Sequence, residues 1–272
     1  MTAAGLRSML GGSRDFLRQL CEEARQRVVE GYYRAPQSEA GFKTADGLRR
    51  SILSCDGNAV IAEFKRSSPS AGAISPGASS DLVVRAMERG GACGISILTA
   101  REWFGGLLED LSVARKACRL PILMKDVVVS GEQIRAAHQL GAQAILLIHQ
   151  AFKRGYTDLT LNQAIRMARD YSLEILLEAC SREELLEAMA TDADILGVNS
   201  RNLSSLRVDR NVHEEAVMGV ELDDRVLVAE SGIETAEDIR RLRRIGYRAF
   251  LVGTALMRSG DIEAKTRELV EA

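Results

Sequence analysis

From about residue 58 the chain alternates two textures of hydrophobic and polar positions. Short, uninterrupted apolar runs give way to Gly or polar residues, and then to stretches with apolar positions at helical spacing and charges between them. The runs occupy residues 59–62, 94–98, 121–124, 144–148, 173–177, 195–198, 226–229 and 249–252. Continuous apolarity marks strands buried on both faces, the condition of parallel strands covered by helices. The helical stretches between them cover 80–89, 108–118, 131–140, 161–170, 182–190 and 235–244. Gly141 and Gly246 follow two of these, where a chain leaving a helix needs positive φ.

Strands alternating with helices at this spacing predict βαβ units, and eight strands predict closure into an α/β fold, the (β/α)8 TIM barrel, for which about 250 residues is typical. The competing doubly wound sheet announces itself by G-x-G-x-x-G after its first strand. Here the first run leads instead into Lys65-Arg66-Ser67-Ser68-Pro69-Ser70. The first 57 residues differ in texture. Phe16, Leu17, Leu20, Cys21, Ala24, Val28 and Val29 lie at helical spacing within 13–32, and a second short helix is predicted over 45–53. No Ser-, Gly- or Pro-rich linker follows them. Residues 1–272 therefore read as a single barrel domain, with 1–57 as a helical extension packed on it.

Composition narrows the function classes. Of 272 residues, 36 are Lys or Arg and 38 Asp or Glu, a net charge of -2 that offers no footprint for nucleic acid or an anionic membrane. Aromatic residues at 4% are too few for base-stacking platforms. The longest apolar run is the five residues 144–148, far short of a bilayer span, and the first residues lack the apolar core of a secretory signal. Five scattered cysteines without a C-x-x-C pair read as reduced thiols. Together these features point to a cytoplasmic protein, monomeric or weakly homo-oligomeric.

In a barrel of this kind the chemistry sits where the strands end. The first strand closes on Glu63-Phe64-Lys65, which places Glu63 and Lys65 on one face. The third closes on Lys125-Asp126, the fifth on Glu178, the sixth on Asn199-Ser200-Arg201-Asn202 and the seventh on Glu230-Ser231-Gly232. Any one such charge can be a solvated loop residue. Two lysines and two or three glutamates converging on one mouth form an acid and base set. Asp126 should point away from that mouth, towards a helix-side partner. Ser231-Gly232 and Gly253-Thr254 follow strands seven and eight, where such barrels hold a phosphate on backbone N–H groups, so a phosphorylated small molecule is the expected ligand. His138, His149 and His213 have no metal-ligand spacing, and His149 reads as a rim or capping residue. Ser231 lacks a His-Asp partner for a hydrolase triad.

These strand ends resemble the indole-3-glycerol phosphate synthase family. The segments that carry the resemblance are Ile61-Ala62-Glu63-Phe64-Lys65-Arg66-Ser67-Ser68-Pro69-Ser70, Pro121-Ile122-Leu123-Met124-Lys125-Asp126, Leu177-Glu178, Gly197-Val198-Asn199-Ser200-Arg201-Asn202-Leu203, Ala229-Glu230-Ser231-Gly232-Ile233 and Leu251-Val252-Gly253-Thr254-Ala255-Leu256-Met257. They fall in order across 59–257, behind an N-terminal extension that the family shares. The resemblance implies conversion of 1-(2-carboxyphenylamino)-1-deoxyribulose 5-phosphate to indole-3-glycerol phosphate with loss of CO2 and water, without metal or organic cofactor. It implies Lys125 as general acid at the ketone, Glu178 as base in the dehydration, and Glu63 assisting proton transfer. Lys65 would hold the carboxylate or phosphate region, and Asn199 and Ser231 would orient the intermediate. Ser68, Gly232, Gly253 and Thr254 would bind phosphate, while Arg201 would order the Glu and Asn side chains.

One segment departs from the family pattern. In Thr99-Ala100-Arg101-Glu102-Trp103-Phe104-Gly105-Gly106-Leu107, Ala100 stands where an acidic residue is expected, Trp103 replaces a smaller aromatic and Leu107 a small polar residue. This bears on how the loop closes on the anthranilate end of the substrate. The related isomerase barrel, phosphoribosylanthranilate isomerase, would want a Cys base where this chain has Glu63 and Lys65. A non-catalytic sugar-phosphate-binding paralogue remains the alternative from another class.

Overall fold

A computed structural model describes residues 15–34, 47–222 and 224–272. Eight strands form the barrel: β1 (Ala59–Phe64), β2 (Gly94–Leu98), β3 (Ile122–Lys125), β4 (Ala144–Ile148), β5 (Glu174–Ala179), β6 (Ile195–Asn199), β7 (Val226–Glu230) and β8 (Ala249–Val252). Each pairs in parallel with its sequence neighbours, and β1 pairs with β8 to close the ring. The six predicted interior helices all form, with ends shifted by at most two residues. Capping boxes at Ser130/Gln133, Thr160/Gln163 and Thr235/Asp238 set three of their starts. Gly141 and Gly246 take φ of 86° and 106° behind two of them.

Five strands run one or two residues beyond their apolar runs, through Glu63, Lys125, Glu178, Asn199 and Glu230. These polar residues stay in the backbone ladder: Glu63 pairs with Ser96, Glu178 with Gly197 and Asn199 with Glu230. Apolarity stops before the strand does because the last inward positions face the site rather than the core. Two further outer helices, Val212–Val217 and Ile262–Val270, carry too little periodicity to be read in advance. The first buries only His213 and Ala216, the second only Thr266 and Leu269.

The strands divide their side chains cleanly. Val60, Ala62, Phe64, Ile95, Ile97, Ile145 and Leu147 point outward beneath the helices, in one cluster. Ala59, Ile61, Leu123, Leu146, Leu176, Val228 and Leu251 fill the barrel interior in another. Among the described residues no helix is long and apolar enough to cross a membrane.

The two described helices that precede β1 pack on the barrel at opposite ends. Helix α1 (Phe16–Val29) lays Phe16, Leu17, Leu20, Cys21 and Ala24 near the C-terminal strand ends, in a cluster with Val127, Val129, Ile148 and Leu203. Its sequence puts these residues at i, i+1, i+4, i+5 and i+8, a single stripe. Helix α2 (Leu48–Leu53) plugs the floor with Leu48 and Ile52, both fully buried. The plug fits because β2 begins with a glycine: a Cβ on Gly94 would lie 2.6 Å from Leu48 Cδ1. Glu174, at the floor end of β5, accepts from the Arg49 backbone N–H at 2.9 Å and caps the helix. Residues 13, 14, 45 and 46 of the two expected helices lie outside the described residues.

Leu48→Ala would leave a cavity under the barrel that its tightly packed walls cannot collapse into. Thermal or urea unfolding should show a loss of about 2–5 kcal/mol, with turnover little changed because the plug lies at the far end from the mouth.

Candidate active site

Side chains facing inward at the upper strand ends surround a cavity of about 500 Å³. β1 supplies Glu63 and, just past its end, Lys65, whose Nζ lies 2.6 Å from Glu63 Oε1. β3 supplies Lys125, with Nζ 2.8 Å from Glu230 Oε2 and 3.4 Å from Glu178 Oε2. Asn199 Nδ2 donates to Glu178 Oε2 at 3.0 Å, and the Arg201 backbone N–H donates to Asn199 Oδ1 at 2.9 Å. Strands β1, β3, β5, β6 and β7 thus deliver two lysines, three glutamates and an amide to one mouth, as the strand-end reading expects.

Two missing side chains make this convergence possible. A Cβ on Gly197 in β6 would sit 2.2 Å from Glu230 Oε1. A Cβ on Gly253 would sit 2.4 Å from Glu63 Oε1 and 2.9 Å from Lys65 Nζ. Both contacts are closer than atoms can approach, so any larger residue displaces a carboxylate.

Burial works against the charge on Lys125, but Glu230, Glu178 and Glu63 outweigh it and push its pKa well above the usual lysine value. Burial also works against ionisation of Glu63; Lys65, Lys125 and Arg201 overcome it and hold that carboxyl below its usual range. Glu230 is the exception. Burial pushes its pKa up, Lys125 resists and the Glu178 charge adds to the rise, leaving it at about 8. Near neutral pH the mouth therefore holds a charged ammonium, a firm carboxylate at Glu63 and a carboxylic acid at Glu230. Glu63, Glu178 and Glu230 each keep one buried oxygen without a protein hydrogen-bond partner.

Just past Glu230, Ser231 and Gly232 both adopt left-handed backbone, with φ of 65° and 71°. Successive residues of this kind turn their N–H groups into one concavity that suits an anion. Ser68, Gly253 and Thr254 line the same cavity, and Thr254 opens the short helix Thr254–Met257. Ser231 is not a glycine, so no residue type signals its positive φ in advance. Phe16 and Leu20 of α1 form an apolar wall with Phe104, Leu203 and Leu206.

The structure refines the readings of Arg201, Asp126, the departing loop and His149. Arg201 orders Asn199 through its main-chain N–H, while its guanidinium donates to the Leu206 carbonyl at 3.1 Å. The structure therefore does not place the Arg201 side chain on the glutamates by any direct hydrogen bond. Asp126 does pair with a helix-side group, Arg27 of α1 at 3.2 Å, but it also accepts from Tyr33 Oη and Thr99 Oγ1, each at 2.7 Å. Arg27 bridges on to Glu102 of the departing loop. Trp103 in that loop packs edge-on against Phe16 at 5.2 Å and donates to Glu23 at 3.0 Å. The unusual loop is thus tied to α1. His149 starts the short helix His149–Lys153 and faces Glu187 at 3.3 Å, outside the mouth.

Sequence reasoning undervalued Glu230, the carboxylate nearest Lys125, although Ala229-Glu230-Ser231-Gly232 was in view. It missed the α1 wall and His213, because neither is adjacent to a strand end in sequence. Burial pushes the His213 pKa down to about 4, so the ring is neutral, and its Nε2 lies 3.1 Å from the Glu230 carbonyl oxygen. The Ser200 N–H donates to that same oxygen at 3.0 Å, fixing the backbone that aims Glu230. Among the described residues no group of three or more His, Cys, Asp or Glu is placed to hold a metal ion.

Comparisons with known proteins bear on the fold and the family. In solved structures, a thiamine phosphate pyrophosphorylase from Pyrococcus furiosus aligns with TM-score 0.57 at 22% identity, covering 82% of this chain and 96% of that one. At that identity the likeness speaks to the fold alone. The indole-3-glycerol phosphate synthase of Sulfurisphaera tokodaii is 43% identical over 216 residues, covering 79% of this chain and 83% of that protein. The enzyme of the same name from Azospirillum brasilense is 38% identical over 269 residues, covering 94% and 99%. Residues 11–269 match the family model described as indole-3-glycerol phosphate synthase, and the chain belongs to that family.

Proposed function

We propose that this mouth closes the indole ring of 1-(2-carboxyphenylamino)-1-deoxyribulose 5-phosphate, with Lys125 as general acid and Glu178 as base. The observation that carries the assignment is a single ammonium, Lys125 Nζ, held between two carboxyl groups at 2.8 and 3.4 Å within the cavity that also contains the anion cradle. The activity is that of a decarboxylating carbon–carbon lyase in tryptophan biosynthesis.

The phosphate sits on the N–H groups of the Ser231-Gly232 turn and of Gly253-Thr254, with Ser68 closing the cradle. The aromatic ring lies against Phe16, Leu20 and Phe104, and Lys65 steadies the anionic end nearest Glu63. As the ring carbon bearing the carboxylate attacks the ketone carbon, negative charge develops on the ketone oxygen. Lys125 is too weak an acid to protonate a ground-state ketone. It donates as that oxygen becomes basic, so its help is concentrated in the transition state. Loss of CO2 takes the carboxylate off the ring. Glu178 then removes a proton while the new hydroxyl leaves as water, and Glu63 supports the transfer. Asn199 holds Glu178 at 3.0 Å, and with Ser231 keeps the intermediate oriented. The enzyme acts in the cytoplasm in this reading, in keeping with its five free cysteines.

Lys125→Ala should lower kcat by about 10²–10⁴-fold, read as indole fluorescence appearing on addition of substrate without metal. Lys125→Arg should fail as well, because a guanidinium scarcely releases a proton. Near-normal turnover in either variant would overturn the acid assignment. Saturable binding without any turnover in the unaltered protein would favour the non-catalytic paralogue.

The Glu230 value predicts a pH effect of definite sign. As pH rises through about 8, Glu230 ionises and adds a negative charge beside Lys125 and an anionic substrate, so kcat/KM should fall. In Glu230→Gln that limb of the profile should vanish. Stability shifts the same way. The folded carboxyl keeps its proton up to about 8, whereas the unfolded one loses it near 4.5, so Glu230 makes the fold less stable as pH rises across that window.

A further inference from the structure

At the floor of the barrel, as far from the mouth as the fold allows, two of the five cysteines come together. Cys55 follows α2 and leads into β1, while Cys93 immediately precedes β2. Their thiols are neighbours, each acting on the other's ionisation. Ser51 of α2 is bound to both residues: its carbonyl accepts from Cys55 Sγ at 3.2 Å, and its hydroxyl donates to the Cys93 carbonyl at 2.6 Å. Cys93 is 3% exposed in the interior cluster, and Cys55 packs against that cluster while remaining partly exposed. The Arg248 guanidinium lies over the same turn, 3.4 Å from the carbonyls of Leu53 and Cys55.

We propose that Cys55 and Cys93 form a reversible disulfide on exposure to hydrogen peroxide, stapling the α2 plug to the barrel floor. The pair has the division of labour this chemistry needs: one accessible sulfur beside a fixed positive charge, and one buried sulfur in reach of it. The neighbouring Cys93 thiol and the charge of Arg248 outweigh burial and bring the Cys55 thiol down to about 7, while Cys93 is held well above the usual thiol value. The partly exposed Cys55, beside Arg248, is the attacking thiolate and the buried Cys93 the resolving thiol. The Cys55 sulfur attacks one peroxide oxygen, the O–O bond breaks, and the departing hydroxide takes up a proton as water. The Cys93 sulfur then displaces hydroxide from the resulting sulfenic acid, and its proton leaves with that hydroxide as a second water. Two thiols are oxidised, and one peroxide is reduced to two waters.

The bond would close the loop between residues 55 and 93 and restrict the unfolded chain. α2 would be fixed beneath β1 and β2 without disturbing the mouth. The contrast with the other thiols is clear in their surroundings. Cys21 and Cys118 are buried with their pKa values pushed up, to about 12 and about 11, and burial raises Cys180 well above the usual value.

The test uses the reduced full-length protein, treated with a small molar excess of hydrogen peroxide, alkylated after denaturation and mapped without reductant. The expected result is one peptide pair joined through Cys55 and Cys93, with Cys21, Cys118 and Cys180 alkylated. The apparent Tm should rise by roughly 5–10 °C, return with dithiothreitol, and leave turnover unchanged. Cys55→Ser and Cys93→Ala should each fold, lack the joined peptide and show no peroxide-dependent Tm rise. Cys55 accumulating as sulfinic acid without a joined peptide would overturn the proposal. So would mixed pairing among all five cysteines, or no reaction at Cys55.

Discussion

A lysine ammonium buried among carboxylates is the constraint around which this protein is organised. Lys125 reaches the barrel mouth with its side chain only 15% exposed, and taking such a charge out of water costs several kcal/mol unless partners replace the lost solvation. Glu230 and Glu178 provide that replacement, and each brings the same requirement to its own position. Asn199 holds Glu178, while Ser200 and His213 hold the Glu230 backbone. Gly197 and Gly253 leave the volume that the carboxylates occupy. With more carboxyl groups than cations in contact, the repulsion between Glu178 and Glu230 is relieved by retaining a proton, and Glu230 keeps it. The charge state of the mouth is thus set by one electrostatic balance.

The same strand end that presents Lys125 to the mouth anchors the N-terminal helix through the next residue. Asp126 points the other way, as alternation along a strand requires, and receives Arg27, Tyr33 and Thr99. Arg27 and Asp126 are 4% and 3% exposed, so removing Arg27 would leave Asp126 buried with only neutral donors, while Arg27 without Asp126 would still hold Glu102. Through Arg27 and Glu102 the loop after β2 is tied to α1, and Trp103 adds a packed ring and a hydrogen bond to Glu23. The loop that departs from the family pattern is thus supported by the extension that supplies the cavity's apolar wall. α2 has the complementary task of closing the opposite end.

Much of this was legible from one chain. Apolar runs and capping residues place the strands and interior helices within about two residues, because burial on both faces writes an unbroken apolar signal and Ser, Thr and Gly mark helix ends chemically. The strand-end rule brought out Glu63, Lys65, Lys125, Glu178 and Asn199, all of which meet in the cavity. Helix Val212–Val217 escaped because so short an element spans fewer than two turns and buries only His213 and Ala216. The weight of Glu230 was missed because spacing along the chain says nothing about which carboxylate stands nearest an ammonium on another strand.

The sequence by itself determined the barrel through its periodicity and the family through its strand-end motifs, and it marked the residues proposed as the acid–base set, since all of these are local properties that survive in one dimension. Only the tertiary structure decided the proton on Glu230, the left-handed turn at Ser231 and the opposite placements of α1 and α2. It also decided the meeting of Cys55 with Cys93. Each of these depends on distances between segments far apart in the chain, where charge, burial and steric volume act together and no single stretch of residues records the outcome.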